Sequence, residues 1–288
     1  MAFNPRELVK KLDTVAGLNR LLKVIKTLDD DGRKTILSAI SGELTAQKKN
    51  QVMNMIRNSA GKADEEVRNW LIKGISETYV AGMNQTVKNL QSIKFKPPAG
   101  GKALQVVSVD LLRTNQDLQP HLEAVNTLLS DAYLNFGNTM QSYVKGAERI
   151  LNDTLKRQVR STIAEGRLEG SSVAEIKKTV KSIFEDQGFT VLIDRGGRKW
   201  ELANYSEMLV RTQLLSANNE GVINRASDFN VDIVEISDHN SDCPICSPQE
   251  GKIYSISGKS ENYEALGDNE PPYHPHCKHT LLMRPDLQ

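Results

Sequence analysis

The sequence predicts an α+β protein, with a mostly helical, elongated N-terminal part and a small C-terminal α+β domain. Three observations carry this. Apolar residues recur at helical spacing through most of the first 186 positions. From Phe189 the texture changes to short β-branched runs separated by turn residues. The three cysteines and four of the five histidines fall after residue 238, so any cross-link among them is confined to the small C-terminal part. The expected divisions are a helical region over 1–100, a long-helix region over 101–188 and a compact domain over 189–288.

The elements follow in order. In DEEVRNWLIKGISETYVAGMNQTVKNL, Val67, Leu71, Ile75, Tyr79, Met83 and Val87 form one apolar stripe on a helix opened by Asp64 and two glutamates. Such a stripe reads as core or as a seam for a partner helix. KFKPPAGGK, residues 94–102, breaks the pattern and reads as a linker or exposed loop. A second stripe runs from Leu122 through Val125, Phe136, Met140, Leu151 and Val159 to Ile163, long enough for an elongated bundle or an arm along a partner. Gly170 ends it, and Ser172 with Glu175 forms a capping box for a helix reaching about Asp186. FTVLIDRGGRKWEL reads as a hairpin turning at Gly196 and Gly197. Asn204 and Glu207 predict a further capping box, opening a helix with Tyr205, Met208, Leu215 and Val222 on one face. VDIVEIS, GKIYSIS and HTLLM read as three strands.

Net charge is +1, unevenly spread. Residues 1–100 hold 17 Lys/Arg against 10 Asp/Glu, a surplus of +7, and residues 189–288 hold 9 against 15, a deficit of −6. The basic N-terminal region is a candidate surface for DNA or an acidic protein, although its lysines are scattered as on solvated helix faces. No apolar run approaches the ~18 residues of a membrane span, and MAFNPRELVKK has no apolar segment of a secretory signal. The expectation is a chain made and kept in a cytoplasm, or in a particle assembled there.

The chemistry-bearing residues are two short motifs of one form. CPIC holds Cys243 and Cys246; HPHC holds His274 and Cys277. Each sets two soft donors three positions apart around a proline, the local geometry of a zinc knuckle. Together they predict a closed Cys₃His zinc site of Cys243, Cys246, His274 and Cys277, with His276 and His279 as alternatives to His274. A closed site implies a structural ion. Enzyme patterns are missing. Zinc deaminases need HxE upstream of PCxxC, but here Asp242, not proline, precedes Cys243. HExxH is absent too. An HNH-like nuclease with His239 as general base, or a zinc-containing nucleic-acid-binding module, is the alternative; acidic residues beside the knuckles argue against phosphate contact there.

At this point the motifs resemble a family. The run from Asp194 to Trp200, Tyr205 to Met208, Arg211 and Thr212, Asp238 before CPIC, Gly251 to Tyr254, and His274 to His279 resemble, in order, the C-terminal domain of tailed-phage minor capsid proteins. These are head-morphogenesis proteins of the phage Mu F-like group, and the phage minor capsid protein 2 branch is most similar. This chain departs from the family pattern at His276, where Asn is usual, and at Glu250, where Gln is usual. The resemblance implies a structural, non-catalytic virion component inside the head near the portal vertex, acting in head assembly, DNA packaging or DNA delivery. It implies the portal protein and major capsid protein as partners, with packaged DNA and other copies of the chain as further candidates.

Overall fold

A computed structural model describes residues 18–41, 45–97, 102–187, 189–193 and 197–288. Its elements are α1 (Leu18–Ser41), α2 (Ala46–Ser92), α3 (Val109–Thr114), α4 (Gln119–Ile150), α5 (Asp153–Leu168), α6 (Val173–Asp186), β1 (Val191–Ile193), β2 (Lys199–Glu201), α7 (Leu202–Asp228), β3 (Ile233–Ile236), β4 (Ile253–Ser255) and β5 (Leu281–Met283). The α+β class holds, with long helices first and a small sheet region last.

Several boundaries differ from expectation for identifiable reasons. Asp64 does not open a helix. It lies inside α2, where it accepts a hydrogen bond from Arg68 Nε at 2.7 Å. The helix begins 18 residues earlier, where Thr45 Oγ1 takes the amide of Lys48. Val52, Ile56, Ala60 and Ala63 extend the buried stripe through this polar-looking stretch. The forty-residue second stripe is two helices: α4 ends at Ile150, and Asn152 Oδ1 caps α5 through the Leu155 amide at 3.1 Å. Periodicity passes through this break because the apolar face continues across it. The Asn204–Glu207 capping box is also absent, since α7 starts at Leu202 directly from β2 and Asn204 sits in its first turn. The box of Ser172 and Glu175 is present with both of its bonds. β1 and β2 pair antiparallel as expected; the predicted turn residue Gly196, with Asp194, lies outside the described residues, as does the start of the chain.

Two compact units arise, each drawing on distant stretches of chain. The helical unit holds residues 18–69 and 133–207. Its core centres on Tyr143, Phe184 and Phe189, with Phe189 packed on Tyr143 at 5.1 Å and edge-on to Phe184 at 5.6 Å. Tyr143 Oη donates to the Leu28 carbonyl at 3.0 Å.

The sheet unit holds residues 70–132 and 208–288. Its strands run β4-β3-β5, all antiparallel. The sheet buries Val234, Ile236, Tyr254, Leu281 and Met283 against Val222 and Ala226 of α7 and Val87 and Leu90 of α2. The sheet's core is therefore not contained in 189–288, and the divisions expected at 100 and 188 do not coincide with the units. The stripe from Leu71 to Val87 is fully buried within the chain, so it is core and offers no surplus surface to a partner. α2 and α7 approach closely at two glycines. A Cβ on Gly82 would stand 2.1 Å from the Asn218 carbonyl oxygen, and one on Gly221 2.2 Å from that of Tyr79.

A buried polar chain ties the same unit. Asn224 Nδ2 donates to Tyr79 Oη, which meets His121 Nδ1 at 3.0 Å, and His121 Nε2 meets Asp228 Oδ2 at 2.9 Å. Arg225 and Lys102 complete the surround of Asp228. Burial alone would raise the Asp228 pKa, but His121, Lys102 and Arg225 outweigh it and hold the carboxyl well below its usual range.

Candidate metal centre

The antiparallel sheet explains why two motifs thirty residues apart meet. β3 leaves toward Cys243, β4 returns just after the first knuckle, and β5 begins just after the second. All three ends lie at one edge. Gly251 N donates to the Ile236 carbonyl, Ser237 N donates to that of Thr280, and Thr280 N donates to Ser237 Oγ. Asn219 of α7, fully buried, adds a brace: its Nδ2 donates to the Pro271 carbonyl at 2.9 Å and its Oδ1 accepts from Leu281 N at 3.3 Å.

Each knuckle has local reasons for its shape. In the first, Ser247 N donates to the Cys243 carbonyl at 2.9 Å and Cys243 N to Ser241 Oγ at 3.1 Å. In the second, Cys277 N donates to the His274 carbonyl at 3.0 Å, closing a four-residue turn. Pro275 takes the second position and His276 the third, with φ of 64°. Proline followed by a positive φ is the requirement of a type II turn. His276 is thus a turn residue with an exposed side chain. Asn, usual there in the resembling family, suits the same backbone because it tolerates the left-handed region.

Cys243, Cys246 and His274 come together as one group, and Cys277 meets Cys246 in a second group whose third member is His279. His274 Nε2 lies 3.3 Å from Cys243 Sγ and 2.8 Å from Cys246 Sγ. Cys246 Sγ is 3.9 Å from Cys277 Sγ, and Cys277 Sγ is 3.6 Å from His279 Nδ1. Two donor triads therefore share the buried Cys246: one with Cys243 and His274, the other with Cys277 and His279. A tetrahedral zinc, with bonds of about 2.3 Å to sulfur and about 2.0 Å to nitrogen, sets sulfur–sulfur edges of about 3.8 Å and sulfur–nitrogen edges of about 3.5 Å. Within each triad the donors lie within 4.8 Å of one another, close to that scale; the Cys246–His274 pair must open by about 0.7 Å, and the two triads must draw together for Cys277 to share an ion with Cys243 and His274.

Both imidazoles present a bare nitrogen to the sulfurs when their other nitrogen carries the proton. His274 Nδ1 faces the Pro275 carbonyl at 2.6 Å, and His279 Nε2 faces Glu250 Oε1 at 2.7 Å. The cluster offers five donors to an ion that takes four. Burial and the neighbouring Cys277 and Cys243 sulfurs push the Cys246 thiol up, whereas backbone amides of Cys246 and Ile245 lower that of Cys243. For Cys277, burial is outweighed by His279 and nearby amides, and its pKa falls. A dication among the three sulfurs would remove the mutual repulsion that raises Cys246.

These contacts stand beside a family match. Residues 23–283 match the family described as Phage minor capsid protein 2. The chain belongs to that family. A protein of Lactococcus phage LL-H called "Structural protein" is 23% identical over 210 residues, covering 66% of this chain and 56% of that relative. No solved structure matches the chain. Membership in the phage minor capsid protein 2 family extends through both compact units, well beyond the hundred C-terminal residues whose motifs carried the resemblance.

Within this family member, sequence reasoning missed Glu250. Its carboxylate accepts from His239 N at 3.1 Å and Ser241 N at 3.1 Å as well as from His279. Burial opposes the charge, but His279 and these amides hold its pKa low. The sequence marked it only as a departure from the glutamine usual in the resembling family, with no role attached. His239 faces Ser237 Oγ through Nε2 at 2.9 Å and packs edge-on against His279 at 4.8 Å.

Proposed function

We propose that this chain is a low-copy structural component of a tailed-phage head, held inside the shell at the portal vertex, and that it acts in head assembly, DNA packaging or DNA delivery. The observation that carries this is the family match across nearly the whole chain. The portal protein and major capsid protein are the proposed partners. DNA contact, if made, falls to the basic residues of the N-terminal hundred.

We further propose that Cys243, Cys246, His274 and Cys277 hold one structural zinc. The donor chemistry and spacing support the ion, and four protein donors would leave no coordination position for water or substrate. When bound, zinc would supply a cross-link between the start of β5 and the exit of β3. The packing of His239 between Ser237 and His279 favours a structural role for that ring over general-base work.

A low-resolution map of assembled particles tests the location. Density for this chain at the portal vertex is expected; density on the capsid lattice or in the tail would refute the assignment. Purified protein should leave DNA uncut, and metal-dependent nicking lost in His239→Ala would replace the structural reading with the nuclease one. Elemental analysis of chelator-free protein should give about one zinc per chain. Retention of zinc in His274→Ala with loss in His279→Ala would exchange the fourth ligand and keep the site.

A further inference from the structure

We propose that Glu250 is a positioning residue for the metal centre, one carboxylate that locks both knuckles into a single geometry. The inference rests on the zinc reading above. Glu250 lies four residues past Cys246, and it reaches both sides of the site. On the first side it accepts the amides of His239 and Ser241, the two residues that lead the chain into Cys243. Ser241 passes the restraint on, since its hydroxyl oxygen takes the Cys243 amide at 3.1 Å. On the second side Glu250 takes His279 Nε2 at 2.7 Å, which turns Nδ1 of that ring toward Cys277 Sγ.

The clamp is protected from water. The Glu250 side chain is 10% exposed and that of His279 3%. His239 and Tyr273 pack on the His279 ring, at 4.8 and 6.1 Å between centroids, leaving it little freedom except through Glu250. Groups just outside the ligands of a metal that orient those ligands typically change affinity 10- to 100-fold when removed. The glutamine usual at this position in the family retains one acceptor oxygen for three donors. It would hold part of the arrangement, and this chain's glutamate all of it.

The test is zinc affinity of the full chain, read by competition with a chromophoric chelator, together with the visible spectrum of the cobalt-loaded protein. Glu250→Ala is expected to weaken zinc about 10- to 100-fold and to alter the cobalt bands. Glu250→Gln should weaken it less, about threefold to tenfold. In a His279→Ala background the cost of either change should shrink without vanishing, because the second-knuckle side of the clamp is gone and the His239 and Ser241 side remains. Wild-type affinity with an unchanged cobalt spectrum in Glu250→Ala would overturn the proposal, as would losses that simply add in the double variant. If the alanine variant fails to fold, the glutamine variant with and without His279→Ala carries the same comparison. A wild-type chain that takes up no zinc would instead defeat the zinc reading itself.

Discussion

The helical unit and the sheet unit solve the same problem with different chemistry. In the helical unit long helices bury an aromatic centre of Tyr143, Phe184 and Phe189, with the Tyr143 hydroxyl donating to the Leu28 carbonyl. In the sheet unit the strands are three or four residues long, too short to stabilise a sheet by ladder bonds alone. It leans on two long helices for apolar area and on buried polar groups for register. Asn219 fixes β5, Asp232 takes Ser255 Oγ and Ser257 N, and Glu250 joins the two knuckles. The cysteine and histidine cluster belongs to the unit with the short strands and long connections. Where loops outweigh regular structure, a cross-link adds more than further apolar surface would.

Breaking the cluster should have the largest effect. Cys246 belongs to both donor triads, so Cys246→Ala should abolish zinc uptake and destabilise the sheet unit by a large part of a domain's ~5–15 kcal/mol, read as a separate, earlier thermal transition. Phe189→Ala is the counterpart in the helical unit. It should cost about 3–5 kcal/mol in urea unfolding and leave zinc content unchanged. Gly221→Ala forces a methyl against the Tyr79 carbonyl and should cost about 1–3 kcal/mol, with the loss confined to the sheet unit.

A smaller effect concerns pH. Burial, then the nearby Glu220 carboxylate, raises the Glu270 pKa to about 7 from its ordinary 4.5. The folded state therefore prefers protonated Glu270, and its contribution is greatest below about pH 4.5 and lost as pH rises to about 7. Glu270→Gln should raise the melting temperature at pH 8 and flatten its decline across that window. A wild-type slope in the variant would remove Glu270 from the account. His276→Asn should be the mildest change, leaving zinc uptake intact and altering stability by only a few tenths of a kcal/mol, since both residues accept the turn's positive φ.

The sequence made the helices, the three strands and the meeting of the two knuckles legible because each leaves a local mark: a periodic stripe, β-branched alternation, or a proline between two donors. It did not reveal that α2 begins at Ala46, since the short apolar cluster from Val52 to Ile56 is preceded by five polar residues and followed only by Ala60 and Ala63 before Val67. It did not reveal the break at Asn152, because a side-chain cap interrupts the backbone and not the stripe. The units were hidden for a different reason. Val87 and Leu90 look like any helical core residues, and only long-range packing assigns them to a sheet nearly 150 residues later. Glu250 was hidden likewise, because a surface-type residue between a turn and a strand gains its meaning from donors that the fold delivers.

The central claim is that an ion closes the sheet unit alone. Hydrogen exchange, resolved by segment before and after zinc is stripped with a chelator, tests it most directly. The account predicts that protection falls sharply in β3, β4, β5 and the two knuckles while α1, the Ala46–Asn69 part of α2, and α6 keep theirs. Unchanged protection in the strands after the metal is gone, or equal loss in both units, would contradict it.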